Sequence, residues 1–344
     1  MFAFNNSWKC LTRKGEWGNS TGGNRAKNPQ YLLQLESEAS IYVSLMQYDA
    51  RFTDDDKLEN DNIALVLVKY TGSTIDNNFE HVLDLSKCQI ITRSKFQTNR
   101  EVTINADLPA GEYMIIACTY MKETNTTFVV RVFVQESKFQ LTALPPFSTI
   151  FHSRVFKGEW NAKTSGGCSN TWKWVRNPQY KVKITRATTP VDLLYSQVQI
   201  GEQLKPMSAY MLLAHPDDDT VPVNQMKKLG DLGQFTASEI LEKVVTNIAP
   251  NSIFYVIPSL FEGKAQAKFQ GELSINKKDH PDVSLDVELV ESEWTSVKSE
   301  WTTETAGGCS NHRQTFMNNP KFCVSVQETA VVNFTLCLKG VERK

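Results

Sequence analysis

The chain carries one block of sequence three times. The first copy starts at Gly15-Glu16-Trp17, continues through Gly22-Gly23 and ends at Asn28-Pro29-Gln30-Tyr31. The same order of Glu-Trp, Gly-Gly and Asn-Pro pairs returns in Gly158–Tyr180 and in Ser299–Phe322. The copies lie about 140 residues apart, a spacing that fits whole domains and is too long for the unit of a solenoid. The sequence therefore predicts domain duplication.

The later parts of the copies predict the domain boundaries. Leu108–Ile116 of copy one matches Ala249–Ile257 of copy two, and the third copy reaches Lys344 without such a segment. The paired prolines Pro145-Pro146 fit a short linker. We therefore expect a first domain at residues 1–140, a linker at 141–149, a second domain at 150–291 and an incomplete third copy at 292–344.

Each complete copy has the sequence pattern of an antiparallel β-protein. Segments such as Ile63–Val68 and Phe128–Val134 are short, rich in β-branched and aromatic residues, and separated by Gly, Pro, Asn and Asp. Many short strands at this spacing predict an all-β chain of tandem antiparallel β-sandwiches. Thr236–Val245 also has a helix capping box and helical apolar spacing. Its alignment with a strand of copy one nevertheless favours a strand, because tertiary context commonly overrides local propensity.

Composition disfavours several functional classes. Lys and Arg number 37 and Asp and Glu number 38, so the net charge of −1 argues against a wholly basic nucleic-acid-binding protein, although local basic patches can still matter. No apolar run approaches the roughly 18 residues of a membrane-spanning helix, and the first residues do not resemble a signal peptide. Seven cysteines without a Cys-x-x-Cys pair favour a reducing environment. We therefore expect a cytoplasmic protein and no nucleic-acid partner.

The joint motif of the repeated block resembles domain III of calpain-type cysteine proteases. The resemblance depends on Gly-x-Trp, the run ending in Gly166-Gly167-Cys168, Asn-Pro-Gln-aromatic, and the later Leu-Pro-x-Gly-Glu-Tyr strand that begins at Leu108. It implies an eight-stranded antiparallel β-sandwich in each complete copy. Copy one departs from the family at Asn24, where Cys is usual, and copy two departs at Ile253, where Glu is usual.

The sequence predicts no catalytic residue. The protease core of the resembled family would need a Gln-x-x-x-Gly-x-Cys-Trp segment followed by a distant His and Asn, and the chain has no such segment. Cys168 and Cys309 belong to the repeated block, and copy one has Asn24 in that place. We therefore expect these cysteines to be structural rather than nucleophilic. The five histidines lack the spacing of metal ligands.

An acidic loop of copy one is the candidate calcium site. Calcium takes six to eight oxygen ligands, and clustered carboxylates on an adaptable loop can supply several. The resemblance implies that a loop at this position contacts the protease core and takes part in the response to calcium. The alternative is a plain solvated loop, which is also the interpretation of Asp217-Asp218-Asp219 in copy two. The candidate ligands are Asp49, Asp54, Asp55, Asp56, Glu59 and Asp61.

A basic and aromatic cluster in copy two is the candidate site for an anionic membrane surface. Each cation near anionic headgroups contributes about 1 kcal/mol. Alternatively, the tryptophans belong to the core and the cations to its rim. The cluster contains Lys173, Arg176, Lys181, Lys183, Trp172 and Trp174.

The resemblance implies a non-catalytic regulatory or docking region. Its expected partners are a calpain-type protease core or another protein, with calcium and phospholipid as candidate ligands and peripheral membrane contact as an option. The alternative function is a stand-alone protein–protein adaptor that binds neither calcium nor lipid.

Overall fold

The computed structural model describes most of the chain. The described residues are 5–18, 27–48, 60–70, 74–75, 78–79, 81–83, 85, 88–120, 126–201, 203–214, 223–232, 234–238, 240–291, 297–327, 332, 334 and 336. They form two β-sandwiches, joined by a short segment that contains one α-helical turn.

The first sandwich consists of a four-stranded sheet facing a five-stranded sheet. The sheet orders are β1-β10-β3-β8 and β11-β2-β9-β4-β7, and β5 and β6 form a separate two-stranded ribbon. The strands are β1 (Trp8–Trp17), β2 (Gln30–Leu35), β3 (Ala39–Gln47), β4 (Ile63–Lys69), β5 (Thr74–Ile75), β6 (Asn78–Phe79), β7 (Ile90–Arg93), β8 (Glu101–Leu108), β9 (Gly111–Thr119), β10 (Thr126–Gln135) and β11 (Phe139–Ala143).

The second sandwich repeats this topology after the helical turn α1 (Phe147–Ile150). Its sheet orders are β12-β19-β14-β17 and β16-β15-β18-β13-β20. The strands are β12 (Phe151–Trp160), β13 (Gln179–Thr185), β14 (Val191–Ile200), β15 (Met207–Leu213), β16 (Lys227–Asp231), β17 (Ile240–Ile248), β18 (Ile253–Leu260), β19 (Ala267–Asn276) and β20 (Ser284–Val290).

The predicted class of tandem antiparallel sandwiches is confirmed, with two differences in detail. The two sheets of each sandwich contain nine described strands rather than eight, because the short edge strands β7 and β16 complete the five-stranded sheets. Residues 141–143, expected in the linker, belong to β11, since they pair in register with β2.

The ambiguous segment of copy two is a strand. β17 pairs antiparallel with β14, placing Val245 opposite Leu193 and Val244 opposite Leu194. Leu241 and Val245 are buried in the core between the sheets. Pairing along the whole strand outweighs the local helix signal.

Alternating apolar side chains fill each sandwich. In β10, Phe128, Val130 and Val132 are fully buried, while the residues between them face outward. This period of two is the expected signature of a sheet with one buried face. Burial of each large apolar side chain stabilises the fold by about 1.5–3 kcal/mol.

The third copy forms no strand within its described residues 297–327. Topology explains this, because β12, β13 and β14 never pair with one another and take their partners from β17–β20. The sequence contains no third counterpart of β17–β20. Trp301 is 51% exposed and Phe322 is 55% exposed. An incomplete copy with such apolar residues would be expected to dock on copy two or to pair with another chain. The exposure of Trp301 and Phe322 contradicts docking for these residues. Pairing with another chain stays a prediction.

Candidate functional site

The tryptophan of the repeated block ties the two sheets of each sandwich together. Trp160 is 1% exposed and its Nε1 donates a hydrogen bond to the carbonyl oxygen of Pro258 at 3.0 Å. Trp17 makes the same contact to Ala117 at 2.9 Å. Trp160 and Trp17 end the first strand of each sandwich, whereas Pro258 and Ala117 belong to the opposite sheet. The tryptophan of each complete copy is therefore structural.

The glycine pair of copy two makes a compact loop that one asparagine holds. Asn177 Oδ1 accepts a hydrogen bond from the backbone N–H of Gly166 at 3.0 Å, and Asn177 Nδ2 donates to the Gly167 carbonyl at 2.8 Å. Gly167 has φ +83°, and a side chain on Gly166 would overlap the carbonyl oxygen of Lys173. Both glycines are therefore required by the backbone.

Cys168 lies inside this loop. It is 7% exposed, and its backbone N–H donates to the Phe261 carbonyl at 3.2 Å. The burial and the hydrogen-bonded loop give it a packing role, which agrees with the structural interpretation from sequence. Its equivalent in copy three, Cys309, is exposed.

The loop of copy three folds locally without a sandwich beneath it. Asn319 accepts from the N–H of Gly307 at 3.2 Å and donates to the Gly308 carbonyl at 2.8 Å. Trp301 Nε1 donates to Asn319 Oδ1 at 3.0 Å instead of to an opposite strand. Short-range hydrogen bonds are thus sufficient for this loop.

Most of the acidic candidate site lies outside the described residues. Asp49, Asp54, Asp55, Asp56 and Glu59 belong to this group, so their contribution stays a prediction. Only Asp61, at the far end of the loop, is described.

Asp61, at the end of the acidic loop, is hydrogen-bonded to residues of β3 and β10. Its backbone N–H donates to Gln47 Oε1 at 3.0 Å, and Gln47 Nε2 donates to its carbonyl at 2.8 Å. Thr126 Oγ1 donates to Asp61 Oδ2 at 3.1 Å. Gln47 is 3% exposed. A buried amide therefore fixes where the loop rejoins the first sandwich.

An exposed aromatic pair lies beside this point. The rings of Phe96 and Tyr120 are 5.5 Å apart in an edge-on arrangement, and they are 45% and 51% exposed. The backbone N–H of Tyr120 donates to the Asn62 carbonyl, next to Asp61, at 2.8 Å. The end of the acidic loop and the aromatic pair consequently share one rim of the first sandwich.

Copy two has a counterpart of this pair. Phe235 and Phe261 lie 5.5 Å apart, and Phe261 is 49% exposed. Phe261 follows β18 as Tyr120 follows β9. Sequence reasoning missed both pairs. Their signal was present, because Tyr120 and Phe261 occupy matching positions of the repeat.

The basic candidate cluster of copy two is only partly brought together. Lys181 and Lys183 lie two residues apart on β13 and so face the same side of the five-stranded sheet. In the sheet register they stand opposite Glu288 and Asp286, respectively. Acids at these neighbouring positions lower the net charge that this face presents to an anion.

The structure describes the side chain of only one of the two tryptophans in the cluster, Trp174. Trp174 is half-buried, with its ring 5.4 Å from that of Tyr210 in a small apolar cluster outside the main core. Lys173 and Arg176 lie in the same short 3₁₀ helix, Trp172–Arg176. The side chain of Trp172 is outside the described residues. Trp174 thus packs on the sandwich, and a role of the cations in lipid binding stays a prediction.

The described part of the chain contains no grouping of three or more His, Cys, Asp or Glu side chains suited to a metal ion. In the same residues, no helix is long and apolar enough to cross a lipid bilayer.

Comparison with known proteins identifies relatives of the chain. The sequence model of the family "Calpain large subunit, domain III" matches residues 7–133 and 291–338. A Dictyostelium discoideum protein named "Serine/threonine-protein kinase 4 homolog B" is 23% identical over 98% of this chain and 30% of its own length.

Two relatives carry protease names. "Putative calpain-like cysteine protease A" of Dictyostelium discoideum is 25% identical over 65% of this chain and 34% of its own length. Human "Calpain-9" is 30% identical over 38% of this chain and 20% of its own length. The chain thus spans about a third or less of the length of these relatives.

Proposed function

Because the chain belongs to the calpain large subunit domain III family, we propose that it is a non-catalytic regulatory and docking region. Calpain domain III is the non-catalytic part of calpain proteases. In this proposal the tandem sandwiches couple a calpain-type catalytic core, or another protein, to calcium and to an anionic phospholipid surface in a cytoplasmic setting. The chain itself does not cleave peptides.

The rim of the first sandwich is the observation that carries the proposal. Asp61 and the exposed Phe96–Tyr120 pair lie there together. The other acidic candidates lie between Tyr48 and Asn60 in the sequence, outside the described residues. Exposed aromatic side chains are enriched at protein interfaces and at the water–membrane boundary. Nothing in the core of the sandwich requires Phe96 and Tyr120 to be aromatic, since both are about half exposed.

In this proposal, calcium binding to the acidic loop controls whether the neighbouring aromatic pair reaches a membrane. Loop carboxylates repel an anionic membrane in the absence of a divalent cation, and salt screens that repulsion. Carboxylate oxygens are the ligands that calcium prefers. A bound calcium ion would reduce the negative charge of the loop and let the neighbouring aromatic pair reach the lipid surface.

Calcium-dependent sedimentation with vesicles tests this function. The chain should pellet with phosphatidylserine-containing vesicles in calcium, and should remain in the supernatant in chelator or with phosphatidylcholine alone. Replacing Asp54, Asp55 and Asp56 with Asn should weaken calcium binding measured by calorimetry and should reduce the pelleted fraction. Replacing Asp217, Asp218 and Asp219 with Asn is the matched control, because it removes the same charge from copy two.

The alternative function is a protein–protein adaptor without calcium or lipid binding. Two observations favour it. The acids opposite Lys181 and Lys183 weaken the positive face of copy two. Relatives that contain this region are named as a kinase and as proteases, and a region shared between such different enzymes fits a docking role. An adaptor would remain in the supernatant with and without calcium. Unchanged calorimetry in the Asp54, Asp55 and Asp56 variant would leave only the solvated-loop interpretation of those residues.

A further inference from the structure

A buried ion pair joins the two sandwiches. Lys27 Nζ of copy one lies 2.5 Å from Glu272 Oε2 on β19 of copy two, and each side chain is only 10% exposed. Lys27 directly precedes the Asn-Pro pair of the first repeated block, whereas Glu272 lies in the middle of a four-stranded sheet. The contact therefore connects two separate domains.

The outer face of that sheet is covered. Leu194 of β14 points away from the core of the second sandwich, yet it is 3% exposed. It packs with Phe147 and Phe151, and Leu83 of the first sandwich contacts the same cluster. The corresponding sheet of the first sandwich is more open, since Tyr42 and Phe133 on its outer face are only half-buried.

The connecting segment is held to the first sandwich. The Leu144 N–H donates to the Gln30 carbonyl at 2.9 Å. His81 Nε2 lies 2.9 Å from the Pro145 carbonyl oxygen, and it donates because a carbonyl oxygen can only accept. Gln30 is 1% exposed. The start of the segment is thus fastened to buried structure.

The same segment is also held to the second sandwich. Lys277 Nζ donates to the carbonyls of Ser148 and Thr149 at 3.1 and 3.2 Å. The rings of Phe147 and Phe151 stack at 4.1 Å with 7° between their planes. Lys27 Nζ lies 5.7 Å from the centre of the Phe147 ring. The linker aromatic, the cation and the carboxylate therefore meet at one point.

Charge explains why a lysine is needed there. Glu272 and Glu242 both flank Ser196 in the sheet register, so two carboxylates belong to the outer face at this place. A buried carboxylate requires a partner cation, because removing one member of a buried pair is strongly destabilising. Lys27 supplies the opposite charge from the first sandwich, so the face discriminates in favour of a cationic partner.

We propose that the outer face of the second four-stranded sheet is a docking surface for the first sandwich. The Lys27–Glu272 pair fixes the docked arrangement, and the two sandwiches behave as one rigid tandem body. The relative position of the rims that carry Phe96–Tyr120 and Phe235–Phe261 is then constant. A partner that binds both sandwiches therefore encounters them in a single relative arrangement.

Charge reversal tests the ion pair. Lys27→Glu and Glu272→Lys each place like charges in contact, whereas the double variant restores opposite charges. Each single variant should be cleaved within residues 144–150 at a rate about tenfold or more above that of the wild type in limited proteolysis. The cleavage rate of the double variant should return toward the wild-type rate. Lys14→Glu, which changes an exposed cation on β1, is the matched control and should cleave at the wild-type rate. Single variants that cleave like wild type, or a double variant no better than the singles, would overturn the role of the pair.

A second measurement avoids destabilising substitutions. Fluorescence energy transfer between one dye on each sandwich of the otherwise wild-type chain reports their separation in single molecules. One narrow distribution is the expected result for a rigid body. A broad or multiple distribution would overturn the proposal even if the variants failed to fold.

Discussion

The hydroxyl of Tyr180 occupies the space that a side chain on Gly158 would need. A Cβ on Gly158 would overlap that oxygen and the ring of Phe269. The hydroxyl donates a hydrogen bond to the Lys157 carbonyl at 2.9 Å. Gly15 and Tyr31 have the same relationship in copy one. The two ends of the repeated block are therefore in contact in each complete copy.

Copy three changes both partners together. Ser299 stands in place of the glycine and Phe322 in place of the tyrosine. Phenylalanine has no hydroxyl, so the pair in copy three removes the atom that excludes a side chain in the other copies. The joint change fits the contact seen in copies one and two.

Gly158→Ala should destabilise the second sandwich by about 1–3 kcal/mol, because the added methyl group overpacks the contact. Tyr180→Phe in the same chain should recover part of that loss by removing the hydroxyl. Chemical denaturation of the four members of the double-mutant cycle measures the coupling. Gly18→Ala is the control, since nothing lies within 4 Å of its added Cβ. Additive free energies of unfolding in the cycle would contradict the proposed contact.

Asn177 and Asn319 allow a matched comparison of one loop in two settings. Asn177 is 2% exposed and also donates to Ser259 Oγ at 3.0 Å, whereas Asn319 holds a loop without a sandwich beneath it. Asn177→Ala leaves buried backbone groups without partners and should lower the free energy of unfolding by about 2–4 kcal/mol. Asn319→Ala should leave the unfolding transition of the sandwiches unchanged. Equal effects in thermal denaturation would show that burial does not govern the contribution of this asparagine.

The sequence predicted those features that local pattern determines. Alternating apolar residues, as in Phe128–Val134, predicted strands, and the repeat identified β17 despite its helical signal. The structural role expected for Cys168 followed from its place in the repeated block. These features depend on residues close together in the chain or matched between copies.

Long-range pairing limited the remaining predictions. The contact between Lys27 and Glu272 joins residues 245 positions apart, and no local pattern marks it. The acids opposite Lys181 and Lys183 become neighbours only through the pairing of β13 with β20. The Phe96–Tyr120 pair likewise depends on which loops meet at one rim. The apolar residues of copy three predict a partner, but no local pattern distinguishes docking on copy two from pairing with another chain.

Alkaline pH should destabilise the second sandwich through Tyr180. Burial raises the pKa of Tyr180 from 10.0 to about 12. Below pH 10 the side chain is neutral in both the folded and the unfolded chain, so it contributes no pH dependence. Between pH 10 and 12 the unfolded chain releases the proton first, so the free energy of unfolding falls as pH rises.

Urea denaturation at pH values on both sides of 10 measures this effect. The free energy of unfolding of the Tyr180→Phe variant should fall less steeply above pH 10 than that of the wild type, whatever the stability of the variant at neutral pH. Burial also raises the pKa of Tyr195, and to a lesser extent the charge of Tyr180 raises it, so some dependence should remain in the variant. Identical slopes for the variant and the wild type would assign the alkaline loss to other groups.

Removing the residues after Val290 should abolish self-association without lowering the melting temperature of the two sandwiches. Phe322, Val324 and Val326 are each more than half exposed, so they do not support copy two. At the matching positions of copy two, Tyr180, Val182 and Ile184 are buried. Leaving such side chains in water forfeits about 1.5–3 kcal/mol for each large one, which favours pairing with another chain.

Sedimentation velocity over a range of concentrations tests this pairing. The full chain should show a concentration-dependent sedimentation coefficient, and the truncated chain should sediment as a monomer at every concentration. Phe322→Ser with Val324→Ser is the finer variant, because it removes two apolar side chains and keeps the chain length. Calorimetry of the truncated chain should give the melting curve of the full one. A full chain that sediments as a monomer at all concentrations would show that copy three does not pair between chains, and a lowered melting temperature would show that it supports the sandwiches after all.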